Sequence, residues 1–257
     1  MAMGLPLPAD GKSALVHHRK LNSRNGLEDG LRASGSLPDL HHVVEGDLCW
    51  DFTQGRELLY FHHPDLLLDT GSSEALEKAN SERKLWTLEA ALAPEWDDLF
   101  FIVELKTGRG SREAAVKKAL GLLEAARPGR YWVDTFSLRD LRLVKRLSPD
   151  TCTSLHTKIL AGRILLKTAL EFPPLSFRSV ASLADVDVVT VTYKTSPQRW
   201  FPVGGLRLDR EAALLRSFGK ELVCGGVVTP DMHRLVTEAG VRAGYIKFDW
   251  RLLCAPK

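Results

Sequence analysis

Cysteine is scarce in this sequence, and Cys49, Cys152, Cys224 and Cys254 are scattered without a CxxC or a His-rich spacing. That excludes a zinc knuckle and a disulfide framework, and leads one to expect free thiols in a reducing cytoplasm. Long apolar runs are missing as well. Nothing between Met1 and Lys12 has the length of a signal-peptide core, and no later segment approaches the ~18 uncharged apolar residues of a membrane span. A soluble, cytoplasmic protein without a transmembrane segment is the expectation. Neither sign of charge dominates: 35 Lys and Arg against 32 Asp and Glu leave a formal +3. The basic residues are interspersed and form no stripe, so the composition argues against nucleic acid as a partner. Internal repeats, low-complexity tracts and composition shifts of the kind that mark domain boundaries are also absent.

What is present suits one α/β barrel. The 257 residues are 44% hydrophobic and 26% charged, enough for a sizeable core, and a barrel of this kind takes roughly 250 residues. One domain over residues 1–257 is expected. Short β-rich apolar runs alternate with segments of helical period, the pattern of parallel strands joined by crossover helices. The runs are Ser13 to His17, His42 to Leu48, Leu99 to Leu105, Arg130 to Thr135, Cys152 to His156, Val186 to Tyr193, Glu221 to Val227 and Ala243 to Phe248. Eight such runs close a (β/α)8 TIM barrel.

Between them, Arg112 to Ala126 is the clearest helix, with Ala115, Ala119, Leu122, Leu123 and Ala126 at helical spacing before Arg127-Pro128-Gly129. Leu138 to Leu147, Lys158 to Leu170, Arg210 to Phe218 and Asp231 to Ala239 read likewise, the last with Pro230 before it and Gly240 after it. The Lys158 to Leu170 helix is expected to pack Ile159, Leu166 and Leu170 on the barrel, with no membrane role. An extra extended run, Glu57 to His62, interrupts the alternation as a short insertion after the second strand. The polar stretch Asp69 to Lys84 reads as a loop or short helix.

Active sites of such barrels form at the carboxyl ends of the strands, so polar groups there are informative. The first strand ends in His17-His18-Arg19, the second in Glu45-Gly46-Asp47, the extra run in His62-His63 and the third barrel strand in Glu104-Leu105-Lys106. Strand side chains alternate, so Ile102, Glu104 and Lys106 should face the barrel interior while Phe101, Val103 and Leu105 meet the helices. Glu45 and Asp47 share a face in the same way. Three carboxylates converging at one mouth repel unless a cation lies between them, and hard oxygen ligands suit Mg²⁺ or Ca²⁺. Arg19 and Lys106 supply the positive charge that a phosphate needs. His18 and His62 are groups able to exchange protons with a nucleophile and a leaving alkoxide near neutral pH.

Each element alone is more often structural: a Glu-x-Asp pair is commonly a solvated face, a Glu-x-Lys pair a local ion pair, and a His-His doublet a polar strand end. Their joint order along one barrel-like pattern is what points to phosphodiester chemistry.

The same residues resemble a known family. Leu15-Val16-His18-Arg19 is similar to the opening strand of the glycerophosphodiester phosphodiesterase superfamily, which includes the sphingomyelinase D type phospholipases, and Ser23 to Glu28 is similar to its helix-opening segment. Val44 to Leu48 resembles the family's acidic strand, Tyr60 to Leu67 its second histidine segment, and Ile102 to Lys106 its third metal ligand with a lysine. Asp134 to Ser137 and Leu141 to Asp150 resemble the fourth strand and helix. The resemblance implies a TIM barrel in which His18 and His62 are acid and base, Glu45, Asp47 and Glu104 hold one divalent cation, and Arg19 and Lys106 bind phosphate. His17 and His63 are the alternatives within the doublets, Arg19 and the following Pro64-Asp65 favouring His18 and His62. Lys20 replaces the usual glycine, Arg24 the usual glutamate and His63 the usual aspartate, and Cys224 to Val228 lacks the usual tryptophan and asparagine. These departures bear on substrate more than on chemistry. The short stretch from His63 to Leu99 implies a reduced cap and a mouth open to a bulkier ester.

The resulting expectation is a phosphodiesterase of lipid metabolism acting on a small-molecule or lysolipid phosphodiester. A phospholipase D type headgroup hydrolase of lysophospholipids or sphingolipids, and a catalytically silent barrel that binds a phosphate ester, are the competing expectations.

Overall fold

In the computed structural model the chain is described over residues 5–8, 10, 12–53, 56–62, 85–160, 163–165, 177–193, 208–227, 229–246 and 249–254. Eight parallel strands form a closed barrel: β1 (Ala14–His17), β2 (His41–Thr53), β5 (Phe100–Gly108), β6 (Tyr131–Thr135), β7 (Thr153–Leu160), β9 (Val188–Tyr193), β10 (Glu221–Val227) and β11 (Ala243–Ile246). Each pairs with the next in that order, and β11 pairs back onto β1 to close the ring. The eight apolar runs in the sequence are these eight strands.

Period-2 alternation sorts the side chains into two layers. Val16, Val43, Ile102, Trp132, Val188 and Val223 fill the barrel, and Leu5 and Leu7 from the chain start pack beneath them. Phe101, Val103 and Leu105 belong instead to the layer between strands and helices. Each aliphatic side chain so removed from water contributes ~1.5–3 kcal/mol. The helices are α1 (Arg24–Ser36), a short α2 (Leu88–Ala91), α3 (Arg112–Ala126), α4 (Leu138–Leu147), α5 (Phe177–Ala181), α6 (Leu208–Ser217) and α7 (Pro230–Glu238). Ser23, Ser111, Ser137 and Thr229 cap their helices by accepting from the backbone N–H of Gly26, Ala114, Asp140 and Met232. Pro230 opens α7, as its fixed φ favours, and Gly240 follows it at φ 80°.

Two antiparallel returns decorate the mouth. The run Glu57 to His62 lies in β3 (Arg56–Phe61), which folds back on an extended β2 with Leu48 opposite Phe61, and the two-residue β4 (Trp86–Thr87) pairs onto it. The helix expected over Lys158 to Leu170 is corrected: β7 continues to Leu160, and β8 (Arg163–Leu165) turns back onto it with Ile159 opposite Ile164. The helical spacing of its apolar residues is overridden by ladder pairing on both sides, since Lys158 and Ile159 also pair with Thr192 and Tyr193 of β9. Residues 161, 162 and 166–170 of that expectation, and Asp69 to Lys84, lie outside the described residues. Among the described residues no helix is long and apolar enough to cross a membrane, and all four cysteines are free.

Candidate functional site

The carboxyl end of the barrel gathers charge. Glu45 and Asp47 on β2 and Glu104 on β5 are all at most 3% exposed, and one oxygen from each lies within 4.8 Å of the others. Asp47 sits directly across from Glu104 in the parallel ladder. Lys106, two residues beyond Glu104 and so on the same face, places Nζ 2.8 Å from Asp47 Oδ1 and against Glu104 Oε1. Burial would depress the ammonium, but Glu104 and Asp47 outweigh it and hold Lys106 above its ordinary range. Glu104 is itself pushed up, first by burial and then by the charge of Glu45.

His18 lies just past β1, with Nδ1 2.9 Å from Glu45 Oε2. The same oxygen accepts from the Arg19 backbone N–H at 2.7 Å. Arg19 is left-handed, φ 58° and ψ 15°, which costs an L-residue roughly 1–2 kcal/mol. That conformation aims its N–H at Glu45, and its Nε stands 3.7 Å from Asp47. His17 turns away: buried, it bonds His42 Nδ1 at 3.1 Å and stacks on that ring, and burial together with His42 drops its pKa to about 3. Only His18 of that doublet faces the carboxylates.

His62 follows β3, and its backbone N–H donates to the Asp47 carbonyl at 2.9 Å. Strand alternation places it on the Asp47 face, opposite to Phe61, which packs with Leu48 in the outer layer. Its Nε2 is buried with no hydrogen-bond partner among the described residues. His63 lies outside them.

The turn carrying His18 and Arg19 is fixed at two ends. The short 3-10 turn Lys20–Asn22 brings Asn22 onto β2, where its amide donates to Asp47 Oδ2 at 2.9 Å and accepts from the Asp47 N–H at 2.8 Å. Gly46 makes that approach possible, since a Cβ there would lie 2.7 Å from Asn22 Oδ1 and 2.8 Å from Leu21 Cβ. At the other end Lys20 pairs with Asp29 of α1 at 3.0 Å, and Asp29 also accepts from Trp250 and Arg251 in the last 3-10 turn. Burial would raise the Asp29 carboxyl, but Lys20, Trp250 and Arg251 hold it at about 2. A depressed carboxyl contributes stability above its unfolded value and loses it as pH falls through the folded one. The stability difference between wild type and Asp29→Asn is therefore expected to be constant above about pH 4 and to vanish toward pH 2, read by urea unfolding across that range.

Sequence reasoning missed Asn22, Asp134, His156 and Tyr245. Asp134, next to last in β6, lies beside Glu104, and His156 Nδ1 bonds Asp134 Oδ2 at 2.8 Å. Burial opposes protonation of His156, but Asp134 raises it on balance. Phe136 stacks on the His156 ring at 4.3 Å. Asp134 and His156 are polar groups at or next to the ends of the fourth and fifth apolar runs, so the criterion that found Glu45 and Glu104 also applies to them. Asn22 carries no such signal, because its place depends on the turn geometry.

Glu45, Asp47 and Glu104 fit a hard divalent cation. The donors are all oxygen, they are close enough to share one ion, and Glu45 Oε1 is buried with no hydrogen-bond partner among the described residues.

In sequence, the chain matches no family model and no curated protein. In structure it is similar to an Oleispira antarctica phosphodiesterase solved in complex with the product sn-glycerol-3-phosphate, at 13% identity over 94% of this chain and 95% of that one, with a TM-score of 0.64. The glycerophosphodiester phosphodiesterase of Agrobacterium tumefaciens str. C58 aligns at 15% identity over 95% and 100% of the two chains, with a TM-score of 0.63. That of Thermotoga maritima aligns at 16% identity over 94% and 97%, with a TM-score of 0.60. These likenesses establish the fold as that of the glycerophosphodiester phosphodiesterase barrels.

Proposed function

We propose that this chain, as one barrel domain over residues 1–257, is a metal-dependent phosphoric diester hydrolase that cleaves a glycerophosphodiester by two-histidine acid and base catalysis. The observation that carries the reading is the buried triad Glu45, Asp47 and Glu104 with Lys106 and His18 against it, at the carboxyl end of a barrel shared with named phosphodiesterases. Arg19 offers a planar fork and Lys106 a point charge to the phosphate oxygens. His18, whose Nδ1 lies 2.9 Å from Glu45 Oε2, exchanges a proton at its other ring nitrogen. His62, on the opposite side of Asp47 in the β2–β3 ladder, serves the second oxygen of the diester. A divalent cation, Mg²⁺ or Ca²⁺, held by the three carboxylates would supply charge that offsets the developing negative charge on the phosphoryl group. The free thiols suit a cytoplasmic setting.

A panel of glycerophosphocholine, glycerophosphoethanolamine and lysophosphatidylcholine, each with Mg²⁺, Ca²⁺ or chelator, tests the reading. Release of glycerol phosphate from the glycerophosphodiesters is expected, with loss of activity in chelator. Turnover of lysophosphatidylcholine alone, with headgroup release, would replace it by the phospholipase D type reading. Cleavage of none of them would leave a binding barrel.

A further inference from the structure

The reaction proposed above leaves Asp134 and His156 unused, although both are buried in the barrel, Asp134 completely. Asp134 is directly across from Glu104 in the β5–β6 ladder, and Ser154 is across from Asp134 in the β6–β7 ladder. His156, two residues past Ser154, therefore projects from the same face. One donor atom from each of Glu104, Asp134 and His156 lies within 4.8 Å of the others. Asp134 Oδ2 takes both His156 Nδ1, at 2.8 Å, and the Tyr245 hydroxyl, at 3.4 Å. Its Oδ1 is sealed from solvent and has no hydrogen-bond partner among the described residues, on a carboxylate that offers a donor atom within 4.8 Å of one from Glu104.

We propose that Glu104, Asp134 and His156 form a second cation site, sharing Glu104 with the first, for a borderline divalent ion of the Mn²⁺ or Zn²⁺ class. An imidazole beside two carboxylates favours such ions over Ca²⁺, whereas the all-oxygen set of Glu45, Asp47 and Glu104 favours a hard ion. Phe136 stacked on His156 and the Tyr245 hydroxyl on Asp134 hold the two ligands in place, as outer partners of metal ligands commonly do. The inference rests on the proposed reading in that the two sites share Glu104.

Calorimetric titration of the metal-free protein with Mn²⁺, together with anomalous scattering from Mn²⁺-soaked crystals, tests it without reference to activity. The expected result is two Mn²⁺ per chain, falling to one in Asp134→Asn and to one, at the other position, in Glu45→Gln. A single Mn²⁺ that Glu45→Gln removes and Asp134→Asn leaves would overturn the second site while sparing the first. A single peak between Glu104, Asp134 and His156 would support the second site and overturn the first ligand set, and no bound ion would overturn both. Should Asp134→Asn fail to fold, the wild-type stoichiometry and anomalous map decide.

Discussion

Replacing His18 by alanine is expected to lower kcat on the best glycerophosphodiester by about 10²- to 10⁴-fold, the usual contribution of a positioned acid or base. His62→Ala should do the same, with cation binding retained in both. The doublets supply the controls. His17 is buried against His42 and away from the carboxylates, so His17→Ala should lower the unfolding midpoint while changing kcat far less. Steady-state kinetics beside thermal unfolding separates these outcomes. Loss of turnover in His17→Ala with an unaffected His18→Ala would move the catalytic register by one residue. Wild-type turnover in both His18→Ala and His62→Ala would end the two-histidine mechanism.

Lys106→Met carries the second large effect, on stability as well as activity. The ammonium is the cation that Asp47 and Glu104 share, and removing one partner of a buried ion pair costs about 3–5 kcal/mol because the other charge stays buried. That loss is expected in metal-free protein by urea unfolding, and it should shrink when Mg²⁺ or Ca²⁺ is added and takes over the carboxylates. An equal loss with and without cation would mean that Glu45, Asp47 and Glu104 do not bind one. Turnover should remain low in either condition, since Lys106 is also placed to meet the phosphate.

Much of this molecule is legible in its sequence because barrel strands announce themselves locally. Runs such as Leu99 to Leu105 are rich in β-branched and aromatic residues and bounded by polar ones, and their alternation puts Glu104 and Lys106 inside and Phe101 outside. The convergence of Glu45, Asp47 and Glu104 follows from that alternation together with their place at the carboxyl ends of neighbouring barrel strands. The helix expected over Lys158 to Leu170 gives way to strand over Lys158–Leu160 and Arg163–Leu165 because apolar residues at helical spacing are ambiguous until their ladder partners are known, and β8 and β9 supply them. Asn22 is illegible for a different reason. Its hold on Asp47 depends on a left-handed Arg19 and on the missing Cβ of Gly46, which are properties of the folded turn. Lys20, a departure in the sequence comparison, turns out to anchor that turn to Asp29.

On the proposed function, a cation held at the barrel mouth and His18 act together to break a phosphodiester. Phosphorus NMR of glycerophosphocholine incubated with metal-free protein, then with added Mg²⁺ or Ca²⁺, tests it most directly. The diester resonance should persist in the metal-free sample and convert to a phosphomonoester once the cation is added, with conversion by His18→Ala slower by about 10²-fold or more. Conversion at the same rate in chelator, or by His18→Ala with cation present, would contradict it.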